Sequence, residues 1–268
     1  MTEIDTLALN PNPLVRVLGK QPHEFTRADI IRFVAEQGIP MLNLRYLGGD
    51  GRLKMLNFAI QSAEHLDRIL TMGERVDGSS LFDFVDADSS DLYVVPQLRT
   101  AFLNPFSELP TLDIMCGFYD VEGNPLASSP QQILRKAQQA LEDETGCRLE
   151  ALGELEYYLF SPAEDLFPVE PQRGYHEAGP FSKWEAVRVE SLAHLTRMGC
   201  SVKYAHAEVG NFIADDLQMV QQEIEFLPTD VSRAADEMAL AKWVVREVAH
   251  SYGIEVSFSP KIAVGQAG

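Results

Sequence analysis

The sequence is short of positive charge, of cysteine and of long apolar runs, and each shortage removes a class of function. Lysine and arginine number 22 against 40 aspartates and glutamates, a formal net charge of −18 over 268 residues. Nucleic acid and anionic membrane surfaces are gripped through basic patches, so neither is expected as a partner. Cysteine occurs three times, at Cys116, Cys147 and Cys200, widely separated and without metal-ligand spacing. That usage matches reduced thiols in a cytoplasmic protein. No window approaches the length needed to span a bilayer, and no basic segment followed by an apolar run opens the chain. A soluble, cytoplasmic protein is expected.

What is present is ordinary for a globular chain: 46% hydrophobic and 23% charged residues, in a length that can bury a core in one or two domains. Residues 1–24, with Pro11, Pro13 and Pro22 and little periodicity, read as an irregular arm. Thr26 can cap a helix through Gln37 that Gly38 stops. Met41–Leu47 and Arg52–Ala59 read as strands joined by the turn Gly48-Gly49-Asp50-Gly51. Ser62 caps a helix Ala63–Met72, ended by Gly73. Asp91–Pro96 and Leu112–Tyr119 are further strands, and Ser129-Pro130 opens a helix to about Thr145 with Ile133, Leu134, Ala137 and Leu141 on one face. A turn-rich loop places a domain boundary near residue 107, dividing 25–107 from 108–268. Beyond it come a loop over Pro162–Pro180, helices over Ser182–Met198 and Asp230–Tyr252, and a last strand at Ile254–Ser259. The mixture predicts an α+β fold.

Chemistry enters with Glu154-Leu155-Glu156-Tyr157-Tyr158-Leu159-Phe160. Leu155, Tyr157 and Leu159 alternate as in a strand, so Glu154 and Glu156 share its other face. Like charges side by side repel and pay for desolvation unless a cation lies between them. A solvated strand that happens to carry two glutamates is the plainer alternative, and this pattern leaves it open. Two more strand-like runs add to the count. His206-Ala207-Glu208 ends a run that begins at Ser201, and Gln221–Phe226 carries Gln221, Glu223 and Glu225 on one face. Neighbouring strands lie only about 5 Å apart, and hard oxygen ligands suit Mg²⁺ or Mn²⁺ rather than zinc, which would ask for more Cys and His. His206, two residues before Glu208, shares its face and could touch substrate or orient a ligand. His23, His65, His176, His194 and His250 have no partner pattern and read as surface or core.

At these residues the chain resembles the glutamine synthetases. Gly153-Glu154-Leu155-Glu156-Tyr157-Tyr158-Leu159-Phe160 is similar to that family's G-x-E-x-E-[FY]-[FY]-L-F strand, His206-Ala207-Glu208-Val209 to its H-H-E-V segment and Gln221-Gln222-Glu223-Ile224 to its Q-x-E-[IV]. Asp77-Gly78-Ser79-Ser80 matches its D-G-S-S loop, and Arg173-Gly174-Tyr175 loosely matches G-G-Y. Ser259-Pro260-Lys261 with Gly265 and Gly268 resembles the run that precedes its H-x-H segment. The motifs stand in the family's order, from about residue 25 to the last. The resemblance implies a small β-grasp domain followed by a catalytic domain with a curved antiparallel sheet and flanking helices. It implies ATP-dependent ligation of glutamate and ammonium through a γ-glutamyl phosphate, with two or three Mg²⁺ or Mn²⁺ ions per site in the complete enzyme. By position, Glu156, Glu208 and Glu223 would hold one metal and Glu154 a second, among the ATP phosphates. Asp77 would bind ammonium and take its proton across a subunit boundary. Gly268 would fall in the glutamate-binding segment. Homo-oligomers with sites shared between subunits are implied as well.

Three departures qualify the resemblance. Glu208 and Glu223 stand farther apart than in the family, which suggests an inserted loop, Gly210–Met219, whose Asp216 could intrude as a ligand. Lys203 replaces an acidic residue common near the nucleotide, and Ala207 replaces a histidine. The chain also stops at Gly268, before the H-x-H segment and the Arg and Glu residues that hold ATP phosphate and substrate. The expectation is therefore an inactive fragment with an exposed sheet edge. Two other readings are carried: a γ-glutamyl ligase using an amine in place of ammonia, and a non-catalytic relative with structural or binding duties.

Overall fold

A computed structural model describes residue 7 and residues 9–268. The chain divides into two compact units. One comprises the residues up to Leu149 together with Arg197–Gly199; the other comprises Glu150–Thr196 and Cys200–Gly268.

In the first unit the elements are α1 (Pro13–Leu18), α2 (Arg27–Gln37), β1 (Met41–Leu47), β2 (Leu53–Ala59), α3 (Ala63–Met72), β3 (Glu74–Asp77), β4 (Asp91–Pro96), β5 (Phe102–Leu103), β6 (Thr111–Tyr119) and α4 (Pro130–Thr145). The strands form one mixed sheet in the order β2-β1-β6-β4-β3, with β5 added to β6. The β1–β6 pairing is parallel and the others are antiparallel. Alternate residues of β1 (Leu42, Leu44, Tyr46) and β6 (Leu112, Ile114, Phe118) join Ile30 and Phe33 of α2 and Leu66 and Ile69 of α3 in the core. Thr26 caps α2 and Ser62 caps α3 through their side-chain oxygens. The opposite face of β1 and β6 holds a buried polar group: Asp113 accepts from Asn43 Nδ2 at 2.8 Å and pairs with the guanidinium of Arg45.

Three expectations need correction here. The irregular arm folds from Pro13 onward, because Asn12 accepts from Leu14 N as N-cap, Pro13 opens the helix and Gly19 closes it at φ 64°. Residues 1–6 of that arm lie outside the described residues. The boundary near 107 precedes β6, which lies at the centre of the six-stranded sheet, so the compact units divide after Leu149 instead. In α4 the expected apolar face is not packed: Ile133 is 55% exposed and Leu141 36%, while Gln138 is the buried residue.

The second unit contains β7 (Glu150–Ala151), β8 (Glu154–Pro162), α5 (Glu185–Met198, its last two residues clustering with the first unit), β9 (Val202–Ala214), β10 (Leu217–Phe226), β11 (Thr229–Asp230), α6 (Val231–Ser251) and β12 (Glu255–Ser257). Its principal sheet is antiparallel, ordered β12-β8-β10-β9, and β7 pairs with β11 apart from it. Leu155, Tyr157 and Leu159 of β8 and Ile224 of β10 are fully or almost fully buried, as are Val244, Val245 and Val248 of α6. The α5 side is tied to the same sheet by polar contacts: Trp184 Nε1 donates to Ser161 Oγ at 2.8 Å, Gln222 Nε2 to Lys183 O at 3.0 Å, and Arg188 to Gln222. Both units mix helices with strands, so the fold is α+β as predicted.

The stretch Gly210–Met219 is a further correction. It is no loop but the distal end of a β9–β10 hairpin, with Asn211 opposite Val220 and Ala214 opposite Leu217. Asp215 and Asp216 make the two-residue turn at φ 52° and 62°, the left-handed pair that suits the twist of a hairpin and that Asp tolerates better than most side chains. Buried Asn211, Phe212, Gln218 and Val220 hold this extension in place. Asp216 is exposed at the tip, seven residues and so roughly 23 Å along the strand from Glu223, and it does not intrude among the carboxylates.

Candidate metal centre and its relatives

Strand register sets the site. Glu223 of β10 stands directly opposite Glu156 of β8 on one side and His206 of β9 on the other. One step along the same face, Glu225 lies between Glu154 and Tyr204. Directly opposed side chains have Cβ atoms about 4.5–5.5 Å apart, so two rows of polar groups cross three strands. Between Val220 and Gln222 the β9–β10 register shifts, a bulge that carries Glu208–Gly210 and re-aims Glu208 toward the row. Ligand atoms of His206, Glu208 and Glu223 come within 4.8 Å of one another, and so do those of Glu154, Glu223 and Glu225.

Thus Glu154, Glu156, His206, Glu208 and Glu223 meet on one sheet face. Gly268 lies with two of them, Glu154 and Glu156, in the lining of a cavity of about 350 Å³ that also includes Tyr158, Gln221 and Lys242. Asp77 lies in the other unit, at the end of β3, where its carboxylate accepts from Ser79 N at 3.0 Å, Ser79 Oγ at 2.7 Å and Ser80 Oγ at 2.8 Å. Those hydroxyl donors hold its pKa down at about 2.

The electrostatics of the face are lopsided. Burial pushes Glu223 up to about 7, with the charges of Glu156, Glu208 and Glu154 raising it further and His206 opposing them. Glu156 is raised for the same reasons, burial first. Glu225 goes the other way, lowered by its bonds to Lys203 and Tyr204; Lys203 Nζ lies 2.5 Å from Glu225 Oε1. Among the described residues Glu223, only 6% exposed, accepts no hydrogen bond and has one ion-pair partner, the His206 ring at 3.4 Å. A buried carboxylate among carboxylates is the setting in which a divalent cation stabilises most. The donor set of oxygens with one imidazole fits such an ion.

Several parts of this arrangement carry little sequence signal. Glu225 follows from the same alternation as Glu223, but its neutralisation by Lys203 depends on the β9–β10 register. Gln221 is buried and ties two strands together: its Nε2 donates to Glu156 Oε2 at 2.5 Å, and its Oε1 accepts from Gly210 N at 3.1 Å. A strap over 172–176 runs along the outer edge of β9, with Gln172 N, Gly174 N and His176 N donating to Asn211, Val209 and Ala207 carbonyls. It covers part of one edge of the sheet, that of β9. Gly174 is required there, since a Cβ would meet Glu208 O at 2.4 Å. The strap brings Tyr175 and His176 within 5.5 and 4.5 Å of the His206 ring, centroid to centroid.

Comparison with known proteins decides the family. The family model described as "Glutamine synthetase, catalytic domain" matches residues 127–268, and that described as "Glutamine synthetase, beta-Grasp domain" matches residues 38–121. The chain belongs to the glutamine synthetase family. It is similar to the glutamine synthetase of Clostridium saccharobutylicum, 28% identical over 250 residues that cover 91% of this chain and 54% of the relative. It is likewise similar to that of Staphylococcus aureus, 26% identical over 249 residues covering 91% and 53%. Among solved structures it resembles a Plasmodium falciparum glutamine synthetase, with a TM-score of 0.75, 19% identity and coverage of 93% and 53%. It also resembles a structure described as "Apo GmaS without ligand", with a TM-score of 0.71, 16% identity and coverage of 90% and 55%. The six-stranded mixed sheet is thus the β-grasp part of the fold, and the β12-β8-β10-β9 sheet belongs to the catalytic part. The chain spans about half the length of these relatives.

Proposed function

We propose that this chain contributes the metal-bearing part of an ATP-dependent glutamate–ammonia ligase. The observation that supports the reading is the sheet face on which Glu156 stands opposite Glu223 and Glu208 comes within ligand distance of it, with Glu223 buried and His206 its one ion-pair partner among the described residues. In this reading Glu156, Glu208 and Glu223 hold one Mg²⁺ or Mn²⁺ and Glu154 contributes to a second. When bound, the ions offset charge that builds up as phosphoryl passes from ATP to the glutamate γ-carboxylate. Gln221 fixes the Glu156 carboxylate, and the bulge at Glu208–Gly210 aims Glu208. Asp77 stays anionic at neutral pH under its serine hydroxyls, which suits it to attract ammonium in the site of a neighbouring subunit; accepting the proton there requires its pKa to rise from about 2. Gly268 lines the cavity beside Glu154 and Glu156 and leaves room there for glutamate.

Turnover is assigned to a homo-oligomeric, cytoplasmic protein that also carries the half of the family's length not included in these 268 residues. The 268 residues alone are expected to show negligible synthetase activity. γ-Glutamyl hydroxamate formation tests both statements: robust turnover by the 268-residue chain refutes the second, and none by the full-length protein refutes the first. A second reading, an amine in place of ammonia, draws support from the rings of Tyr175, His176 and Tyr204 beside Glu208 and Glu223, since aromatic faces and carboxylates together suit organic cations. Comparing methylamine with ammonium as acceptor for the full-length protein separates the two.

A further inference from the structure

The geometry points to His206 as a direct ligand of the ion held by Glu208 and Glu223, making this a mixed imidazole–carboxylate centre that favours Mn²⁺ over Mg²⁺. The inference rests on the metal-centre reading above and goes beyond it in the identity of the ligand and the selectivity that follows.

Three observations support it. His206 Nδ1 lies 3.1 Å from the backbone carbonyl of Ala207; a carbonyl only accepts, so Nδ1 is the donor in this contact and Nε2 is the ring atom turned toward the carboxylates. That Nε2 faces Glu223 Oε2 at 3.4 Å. A metal ion can take the place of a proton between an imidazole nitrogen and a carboxylate, since ligation displaces protons from both groups. Glu208 Oε1 is close by, and ligand atoms from all three side chains fit within 4.8 Å, the spacing that a shared ion requires. Finally, the ring is held. Tyr175, His176 and Tyr204 pack around it at 4.5–5.7 Å between centroids, and the strap bearing two of them is bonded to the β9 edge. Outer groups that fix a ligating imidazole are what metal centres usually provide. Mg²⁺ demands oxygen ligands in near-ideal octahedral geometry, so an imidazole in the set penalises it more than a larger first-row transition ion such as Mn²⁺.

The test uses the untagged 268-residue chain and Mn²⁺ alone. An EPR titration measures binding, and pulsed EPR then reads nitrogen coupling to the bound ion. The expected result is the modulation of one imidazole nitrogen, lost in His206→Gln and kept in His176→Asn. Mn²⁺ affinity should fall about 10- to 100-fold in H206Q, while Mg²⁺ affinity, measured by competition, changes less than about threefold. Bound Mn²⁺ without nitrogen coupling, or coupling that survives H206Q, overturns ligation by His206 while leaving the carboxylate centre standing. Failure of the wild-type chain to bind Mn²⁺ is a separate result that removes the centre itself and this inference with it. Circular dichroism of each variant identifies any loss of fold.

Discussion

Glu223 and Glu156 face each other across the β8–β10 ladder, and the pair is asymmetric. Glu156 receives a hydrogen bond from Gln221 Nε2, while Glu223 receives none and is the more deeply buried. The bonded carboxylate is the better placed to carry charge without an ion. The unbonded one meets the cost of ionisation with only His206 in support.

That asymmetry gives a pH dependence of definite sign. Glu223 titrates at about 7 in the folded chain, against 4.5 for an ordinary glutamate. The folded state therefore holds a proton that the unfolded state has released. The resulting stabilisation is complete below the unfolded value and is lost as pH rises through the folded one. Metal-free chain should lose stability to urea between about pH 4.5 and pH 7, and Glu223→Gln should flatten that slope. At the alkaline end E223Q should be the more stable by roughly 1–2 kcal/mol, a figure reduced for solvent at the rim. Saturating Mn²⁺ should reverse the order, because the ion stabilises only the wild-type carboxylate. Urea midpoints at several pH values, with and without Mn²⁺, measure both effects.

Gln221 links the same carboxylate to the backbone of the bulge. Gln221→Ala leaves Gly210 N–H unpaired in a buried setting and frees Glu156 to swing, at a cost of about 1–3 kcal/mol in stability. Mn²⁺ affinity should fall about 10- to 100-fold as well, the usual range for losing a group that orients a ligand. A variant that binds Mn²⁺ as wild type does would show that Glu156 needs no such restraint. Calorimetric titration decides it.

How far the sequence revealed this arrangement depended on whether an interaction was local. Thr26 and Ser62 cap helices through residues three positions away, and both helices begin where those caps place them. The glutamates of β8 and β10 follow from two-residue alternation, so their faces were legible before the strands were paired. The bulge on β9, the strap across its edge and the bond between Lys203 and Glu225 depend on register between strands, which composition does not encode. Asp215-Asp216 misled for a related reason: two adjacent acidic residues suggest a solvated loop, and only the pairing of Ala214 with Leu217 makes them a two-residue turn. The strand faces that bear these carboxylates could thus be read in advance, but the contacts between strands could not.

That turn is strained in a way that can be relieved. Asp215 and Asp216 both occupy left-handed backbone, which costs roughly 1–2 kcal/mol per residue for ordinary side chains and less for Asn or Gly. Replacing the pair with Asn-Gly should stabilise the chain by about 0.5–1.5 kcal/mol in urea unfolding. Mn²⁺ affinity should not change, because the tip lies far along the hairpin from Glu223. A loss of metal binding in this variant would return Asp216 to the list of ligands.

The last prediction concerns the β-grasp sheet. Asp113 is fully buried beside Arg45, and desolvation raises its pKa even though Arg45, Asn104 and Asn43 all favour the anion. Asp113→Ala removes the anion but leaves the guanidinium inside, with Asn43 and Asn104 short of an acceptor. Breaking such a pair from one side costs about 3–5 kcal/mol, more than the pair contributes when compared with an apolar replacement. A double variant, Arg45→Met with Asp113→Leu, removes both charges and should recover most of that loss. If the double variant is as unstable as D113A, the charges themselves are not the cause, and the asparagines around them carry the structure; urea unfolding of the two variants side by side separates the cases.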